Sequence, residues 1–333
     1  MNHIILVDKL NPPDLYRRFN KYFLKKGFSQ INMRVIMFRD FMRNYILCMG
    51  SRKVVLPIYT WPAILCMILS SRGFPPLLEL LKVGVAVTFV GYAVYFYNDV
   101  MDVMDDLKNR ELGNPIPASR PFASGKVSKH MMIIYIFFSA FVGLSVAYTI
   151  NIKVLALLTL YILLGILYST EPIRLKKRFL MKQPVIACGY LIAHLSGAYA
   201  AKGLNLAVIY LSVLDFIVAL GVNPIIDIRD VKGDKVLGVK TIPAVFGPEV
   251  AVRLAISVLA ASGVATIIGY SRIGFNVAMP ILFIIIVTSL IYTIIPLLNK
   301  WRDSVYLDKV VYRRIVPLYL MLQLSVLIGI IHL

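Results

Sequence analysis

Two short stretches of the chain gather carboxylates at a repeated spacing. The first, YFYNDVMDVMDDLKNR, covers residues 95–110 and places Asp99, Asp102 and Asp106 at +3 and +7, with the Asn98 amide beside them. The second, NPIIDIRDVKGDK, covers residues 223–235 and repeats that spacing with Asp227, Asp230 and Asp234. On a helix turning ~100° per residue, each trio points within roughly 60° of arc. Asp105 falls off that face and reads as a solvated residue. Like charges so placed repel, and an Asp well inside a bilayer costs about 2.5–3.5 kcal/mol on insertion scales. Protonation relieves part of this cost, and a divalent cation relieves more. Hard cations such as Mg²⁺ take oxygen ligands and commonly bridge carboxylates to substrate phosphates. The clusters therefore read as a diphosphate clamp working through metal. The plain alternative is a pair of solvated acidic helix ends, which two clusters of identical spacing disfavour.

Two basic loops supply charge of the opposite sign. In YSTEPIRLKKR, residues 168–178, Arg174 and Lys176 are the better candidates for direct diphosphate ligands, since Arg and Lys bind phosphate oxygens directly. Lys177 and Arg178 are explained as well by membrane topology. In NPIPASRPFASGKVS, residues 114–128, Pro and Gly mark a structured turn region. Arg120 and Lys126 could reach phosphate there, and a connecting loop is an equal account of Lys126.

The elements that must position these residues are read from hydropathy. The 333 residues are 59% hydrophobic and 16% charged, against about 25% charged for a soluble domain. The apolar residues fall into nine runs, near 54–71, 77–98, 130–150, 152–168, 183–201, 204–226, 248–270, 274–298 and 315–333. Each approaches the ~20 residues of a spanning helix. The runs are continuous rather than alternating, which favours helices over a β-barrel. The fold class expected is all-α, a polytopic membrane protein of about nine spans around a central cavity. The cysteines, Cys48, Cys66 and Cys188, form no CxxC pair and suggest neither a disulfide framework nor a zinc site. No cleavable signal peptide is evident.

Nine spans fix which loops share a side. The side of the N-terminus carries 30 Lys and Arg residues and the other side 4. That bias places the N-terminus and both Asp motifs in the cytoplasm. It also accounts for the net charge of +19, which is read as topology and attraction to anionic lipid rather than nucleic-acid binding. Residues 15–28 and 33–50 mix basic with apolar side chains and fit interfacial amphipathic helices, a solvated basic tail being the alternative. The chain thus divides into a basic N-terminal segment, 1–53, and a transmembrane domain, 54–333.

These motifs resemble the UbiA superfamily of intramembrane prenyltransferases, known by NDxxDxxxD after the second span and DxxDxxxD after the sixth. Asn98 to Asp106 match the first and Asp227 to Asp234 the second. GVKTIPAVFG, residues 238–247, and Tyr168 with its following basic residues also resemble the family. The resemblance covers the chain after about residue 50. Two departures bear on the acceptor subgroup: RPFASG, residues 120–125, has Ala123 where the family often has Pro, and the gap before it is longer. The resemblance implies that Asn98, Asp99, Asp102, Asp106, Asp227, Asp230 and Asp234 hold Mg²⁺ and thereby an isoprenyl diphosphate. It implies that Arg174 and Lys176 neutralise further charge and that Tyr168 orients the donor. It allows several lipophilic acceptors, among them an aromatic quinone precursor and geranylgeranylglyceryl phosphate.

Two other activities use membrane carboxylates. A CDP-alcohol phosphotransferase carries one compact DxxDG motif, which this chain lacks. A cation transporter places its ion site near the bilayer midplane, whereas these clusters end their spans. Asp215 and His194 lie within spans and are functional candidates by default, with a buried interhelical hydrogen bond the favoured reading. Glu79 and Lys82 suit an i,i+3 pair.

Overall fold

The computed structural model describes residues 30–71, 73–114 and 119–331, with side chains from residue 38 onward except Ser304. The interfacial segment expected at 15–28 lies outside the described residues, as do residues 115–118 of the turn after the first motif. Contacts divide the chain between Leu47 and Cys48, and everything below concerns the unit Cys48–Leu333.

Among the described residues the chain is helical, without strands. A π-helical turn, Leu56–Thr60, leads into α1 (Trp61–Ser71). The first half continues with α2 (Leu77–Met101), α3 (Val103–Glu111), α4 (Lys129–Ile150), α5 (Ile152–Ser169) and α6 (Lys182–Tyr199). The second half begins with α7 (Leu206–Val222), the single turn α8 (Pro224–Asp227), a 3₁₀ turn at Ile228–Asp230 and α9 (Val231–Leu237). It ends with α10 (Ile242–Phe246), α11 (Pro248–Ile273), α12 (Ala278–Ile294), α13 (Leu297–Lys300), α14 (Ser304–Val310) and α15 (Val316–Gly329).

Among the described residues, seven helical runs are long and apolar enough to cross a membrane, or eight if the pair Phe38–Ser51 and Leu56–Ser71 is taken as one broken span. This is fewer than the nine expected, and the discrepancy has a physical cause. Helix α6, expected as the fifth span, carries Gln183, His194 and Ser196, all buried within the bundle. It packs against α1, α5 and α7. A helix enclosed by other helices faces little lipid and tolerates polar side chains that a lipid-facing helix excludes. Elsewhere the outer faces are apolar: Phe137, Phe141 and Tyr292 are at least 70% exposed. The protein is an integral membrane protein.

Two glycines permit close helix crossings. A Cβ on Gly143 of α4 would lie 2.8 Å from the backbone nitrogen of Val90 in α2, and one on Gly197 of α6 would lie 2.7 Å from the carbonyl carbon of Ala63 in α1. Small residues let backbones approach, which is what drives helix association where lipid offers no hydrophobic incentive. The helix starts are capped by local polar residues. Asn151 accepts from Val154 N at 2.9 Å and donates to the Tyr199 carbonyl at 2.9 Å, and Asn205 does the same with Val208 N and the Leu69 carbonyl. Each cap thus satisfies orphan helix donors and ties two helix ends together. Glu79 and Lys82 form the expected i,i+3 pair at 2.7 Å.

Candidate active site

Neither Asp motif is a continuous helix. Helix α2 stops at Met101 and α3 starts at Val103; Asp102 between them has φ −100° and ψ 3°. In the second motif Asp230 ends the 3₁₀ turn and precedes α9 with φ −98° and ψ 1°. The middle Asp of each motif occupies the same bridge-region conformation, which is sparsely populated and frequent at active sites. The break changes which carboxylates face inward. Asp105, expected to be solvated, is turned into the site, where it accepts from Arg174 Nη2 at 2.7 Å and Lys176 Nζ at 2.9 Å. The expectation failed because it projected one regular helix across a break.

The two motifs meet. Asn114 Nδ2 donates to Asp230 Oδ1 at 2.5 Å. Helix α9 packs on α3 at Gly233, where a Cβ would lie 2.7 Å from Asn109 Cγ and closer still to its Oδ1. Any larger residue at 233 would push the second motif away from the first or drive the Asn109 side chain out of its place. Both motifs then face one cavity of about 240 Å³. Asn98, Asp102, Asp105, Asp106, Asp227, Asp230 and Asp234 line it, with Arg120, Tyr168 and Lys176. Asp99 and Arg174 do not line it; they stand behind its wall. Its deeper wall is apolar and aromatic, including Ile58, Val94, Leu164 and Val185 with Tyr59, Tyr161 and Tyr190.

Every carboxylate in the site has a polar partner. Arg52 donates to Asp99 through Nε at 3.1 Å and through Nη2, and to Asn98 Oδ1 at 3.3 Å. Arg120 Nη1 reaches Asp106 at 2.8 Å and Asp99 at 3.4 Å. Lys176 Nζ lies 2.5 Å from Asp102 Oδ1, and Arg174 Nη2 lies 3.3 Å from it. Arg174 has left-handed backbone (φ 32°) that directs its side chain at the first motif, and its Nε is buried without a partner. Lys177 is half-buried and Arg178 is exposed. Lys182 Nζ and Gln183 Nε2 hold Asp227 at 2.7 and 2.6 Å, and Thr241 Oγ1 donates to Asp234 at 2.9 Å. Burial pushes the Asp106 carboxyl up to about 6, against the downward pull of Arg120 and Arg52.

Sequence reasoning did not find Arg52, Lys182, Arg229 or Gln183. Arg52 fell in the basic N-terminal segment, where its role was hidden among residues of the same charge. Lys182 follows the basic loop, where its charge is accounted for equally by membrane topology. The spacing of Arg229 between Asp227 and Asp230 was a usable signal.

Among the described residues no three His, Cys, Asp or Glu side chains converge tightly enough to hold an ion as arranged. The donor set nevertheless suits a hard cation: six cavity-lining carboxylates and the Asn98 amide are oxygen donors, with no thiol or imidazole among them.

Away from this cavity, His194, Asp215 and Gln323 form a fully buried cluster. His194 Nε2 and Gln323 Nε2 both approach Asp215 Oδ2, at 2.8 and 2.7 Å, and His194 Nδ1 lies 2.6 Å from the Tyr190 carbonyl. This is the interhelical hydrogen bond favoured from sequence.

Residues 59–307 match the UbiA prenyltransferase family. The chain belongs to that family. It is 27% identical over 168 residues to the digeranylgeranylglyceryl phosphate synthase of Pyrococcus furiosus, covering 50% of this chain and 59% of that protein. With the synthase of the same name from Methanopyrus kandleri it shares 33% over 174 residues, covering 52% and 60%. With the bacteriochlorophyll synthase 34 kDa chain of Chloroflexus aurantiacus it shares 25% over 166 residues, covering 50% and 54%. The chain thus spans little more than half the length of these relatives. In three dimensions it is similar to a UbiA homologue from Archaeoglobus fulgidus bound to GPP and Mg²⁺, at TM-score 0.61 and 18% identity over 86% of this chain and 98% of that one. A digeranylgeranylglyceryl phosphate synthase structure is equally similar, at 0.61 and 21% over 88% of this chain and all of that one. Family membership sets aside the CDP-alcohol phosphotransferase and the transporter.

Proposed function

We propose that this UbiA-family chain carries out Mg²⁺-dependent transfer of a polyprenyl group, such as geranylgeranyl, from an isoprenyl diphosphate to a lipophilic acceptor. The observation that carries this reading is the convergence of two distant Asp motifs on one cavity whose deeper wall is apolar and aromatic. Such a cavity suits a substrate with an anionic head and a hydrocarbon tail. Geranylgeranylglyceryl phosphate is the acceptor favoured by similarity to the archaeal synthases, and an aromatic quinone precursor is the other.

Asn98, Asp102, Asp106, Asp227, Asp230 and Asp234 would hold Mg²⁺, with Asp99 acting through Arg52 and Asn98. When bound, the metal supplies charge neutralisation for the diphosphate leaving group. Arg120 and Lys176, which line the cavity, turn from carboxylates to phosphate oxygens, and Arg174 behind the wall keeps its hold on Asp102 and Asp105. Tyr168 lines the cavity at the end of α5 and orients the head group. The allylic C1–O bond then breaks with its electron pair leaving on the diphosphate. An electron pair of the acceptor, an oxygen lone pair or an aromatic π pair, closes on C1, and the acceptor gives up the proton from the attacking atom. The apolar wall keeps water from the cation. The charge bias of the loops supports a site facing the cytoplasm of the cell membrane, with the N-terminus on the same side.

The test is purified protein in lipid nanodiscs with Mg²⁺, labelled geranylgeranyl diphosphate and a panel of acceptors. Prenylated product and released diphosphate, both lost on chelation and restored by Mg²⁺, are expected. Absence of both across prenyl lengths and acceptors would refute the reading.

A further inference from the structure

Four tyrosines from four separate elements gather in the cavity beneath the carboxylates. Tyr59 is on the π-helical turn, Tyr95 on α2, Tyr161 on α5 and Tyr190 on α6. The Tyr59 ring lies at the centre of the group: its centroid is 5.3 Å from Tyr161, 5.4 Å from Tyr190 and 6.0 Å from Tyr95, with interplanar angles of 34°, 60° and 68°. All four line the catalytic cavity, and Tyr59, Tyr161 and Tyr190 are each at most 6% exposed. Their spacing is that of rings presenting faces and edges to one another, and they form the transition between the charged end of the cavity and its apolar wall.

Two further observations define how this group is held and what one of its rings does. One ring already holds a cation: the Arg52 guanidinium sits 5.1 Å from the Tyr95 centroid. The other is an absence of side chain. Gly189 lines the cavity beside the rings, and a Cβ there would lie 3.0 Å from Tyr161 Cε2 and 3.3 Å from Tyr59 Cε1. Both rings therefore pack against the Gly189 backbone at a distance that leaves no room for a side chain, which fixes where they stand in the cavity wall.

We propose that Tyr59, Tyr161 and Tyr190 form an aromatic cage that stabilises the allylic carbocation of the donor by cation–π contact. This rests on the prenyl-transfer reading above. Breaking the C1–O bond leaves positive charge spread over the allylic carbons. A fixed carboxylate beside C1 would be a poor stabiliser, because it would compete with the acceptor for the new bond. An aromatic face offers negative potential that does not capture the cation in this way, and its effect is largest where water is excluded. Tyr95 is outside the cage because Arg52 covers it. Arg52 thereby ties the cage to the first motif, since the same guanidinium bonds Asp99 and Asn98.

The experiment replaces Tyr59 in the full-length protein by phenylalanine and then by phenylalanines of increasing ring fluorination. These replacements nearly preserve shape while stepping down the negative potential of the face. Single-turnover release of diphosphate is read in nanodiscs with saturating Mg²⁺, together with the Kd of a non-reactive thiolodiphosphate donor. Tyr59→Phe is expected to stay within about 3-fold of the parent, and each added fluorine to lower the rate further, reaching about 30-fold across the series. The analogue Kd is expected to stay constant, because the ground state carries no such cation. Tyr161 treated in the same way should give a parallel series. A rate that is flat across the fluorinated series, or a loss confined to analogue binding, overturns the cage and leaves prenyl transfer standing. A parent protein that releases no diphosphate overturns the prenyl-transfer reading itself, and the cage with it.

Discussion

Replacing Gly233 by alanine probes how the two carboxylate motifs are held together. The added methyl would meet Asn109 Cγ at 2.7 Å and its Oδ1 closer still, where ordinary contact begins at 3.4 Å. Relief requires α9 and α3 to separate by about 1 Å, or Asn109 to leave its place in the cavity wall. Overpacking of this size costs about 1–3 kcal/mol of stability. Its functional effect is larger, because a displacement of ~1 Å between groups that grip one substrate costs about 10²-fold in rate. Gly233→Ala should therefore lose about 100-fold in prenyl transfer with only a modest fall in thermal stability in nanodiscs. The double variant Gly233→Ala with Asn109→Ala removes the clashing amide. It should recover to within about tenfold of the Asn109→Ala single variant, so the two changes are strongly non-additive. Parent-like transfer by Gly233→Ala, or a double variant no better than the product of the singles, would show that the motifs are not registered through this contact.

Other perturbations separate the roles of individual residues. Asp102→Ala and Asp230→Ala, at the two helix breaks, should each abolish transfer while the protein still inserts and unfolds cooperatively; near-normal turnover in both would remove the metal-clamp role. Arg52→Gln leaves Asp99 with only the 3.4 Å contact from Arg120, and losing a charge-assisted bond of about 1.5–3 kcal/mol should weaken Mg²⁺-dependent donor binding by about 10- to 100-fold, measured by calorimetry; an unchanged affinity would make Arg52 merely structural. For the buried cluster, the His194 Nδ1 partner is a carbonyl, which only accepts, so that nitrogen carries its hydrogen and one further proton is shared between Nε2 and Asp215. Asp215→Leu should lower unfolding stability by about 3–5 kcal/mol, read from thermal unfolding in nanodiscs, whereas Asp215→Asn should lose much less; equal losses would contradict this hydrogen-bonding scheme.

Asp105 and Arg52 mark where sequence reading stopped. The +3, +7 pattern identifies carboxylates that belong together, because motif spacing is a local property of the chain. It does not reveal that the backbone breaks at Asp102 and Asp230, since both sequences read as regular helix through those points. Hence the spacing puts Asp105 in solvent and Asp99 on the shared carboxylate face, whereas the structure puts Asp105 in the cavity wall and Asp99 behind it. Arg52 was invisible for another reason: nothing local distinguishes it from the other basic residues preceding the first span.

The sequence by itself determined the class of solvent this protein folds in and the chemical type of its site. Long apolar runs require lipid around them, and paired Asp motifs with basic loops point to a metal and an anion. These follow from composition and local spacing, which need no knowledge of neighbours. Only the tertiary structure decided which helices are enclosed by others, so that α6 could carry His194 and Gln183, and which tyrosines share a cavity. It also decided how closely α3 and α9 approach at Gly233. Those are relations between residues up to 131 positions apart, as for Tyr59 and Tyr190, and they arise from helix packing that local sequence does not encode.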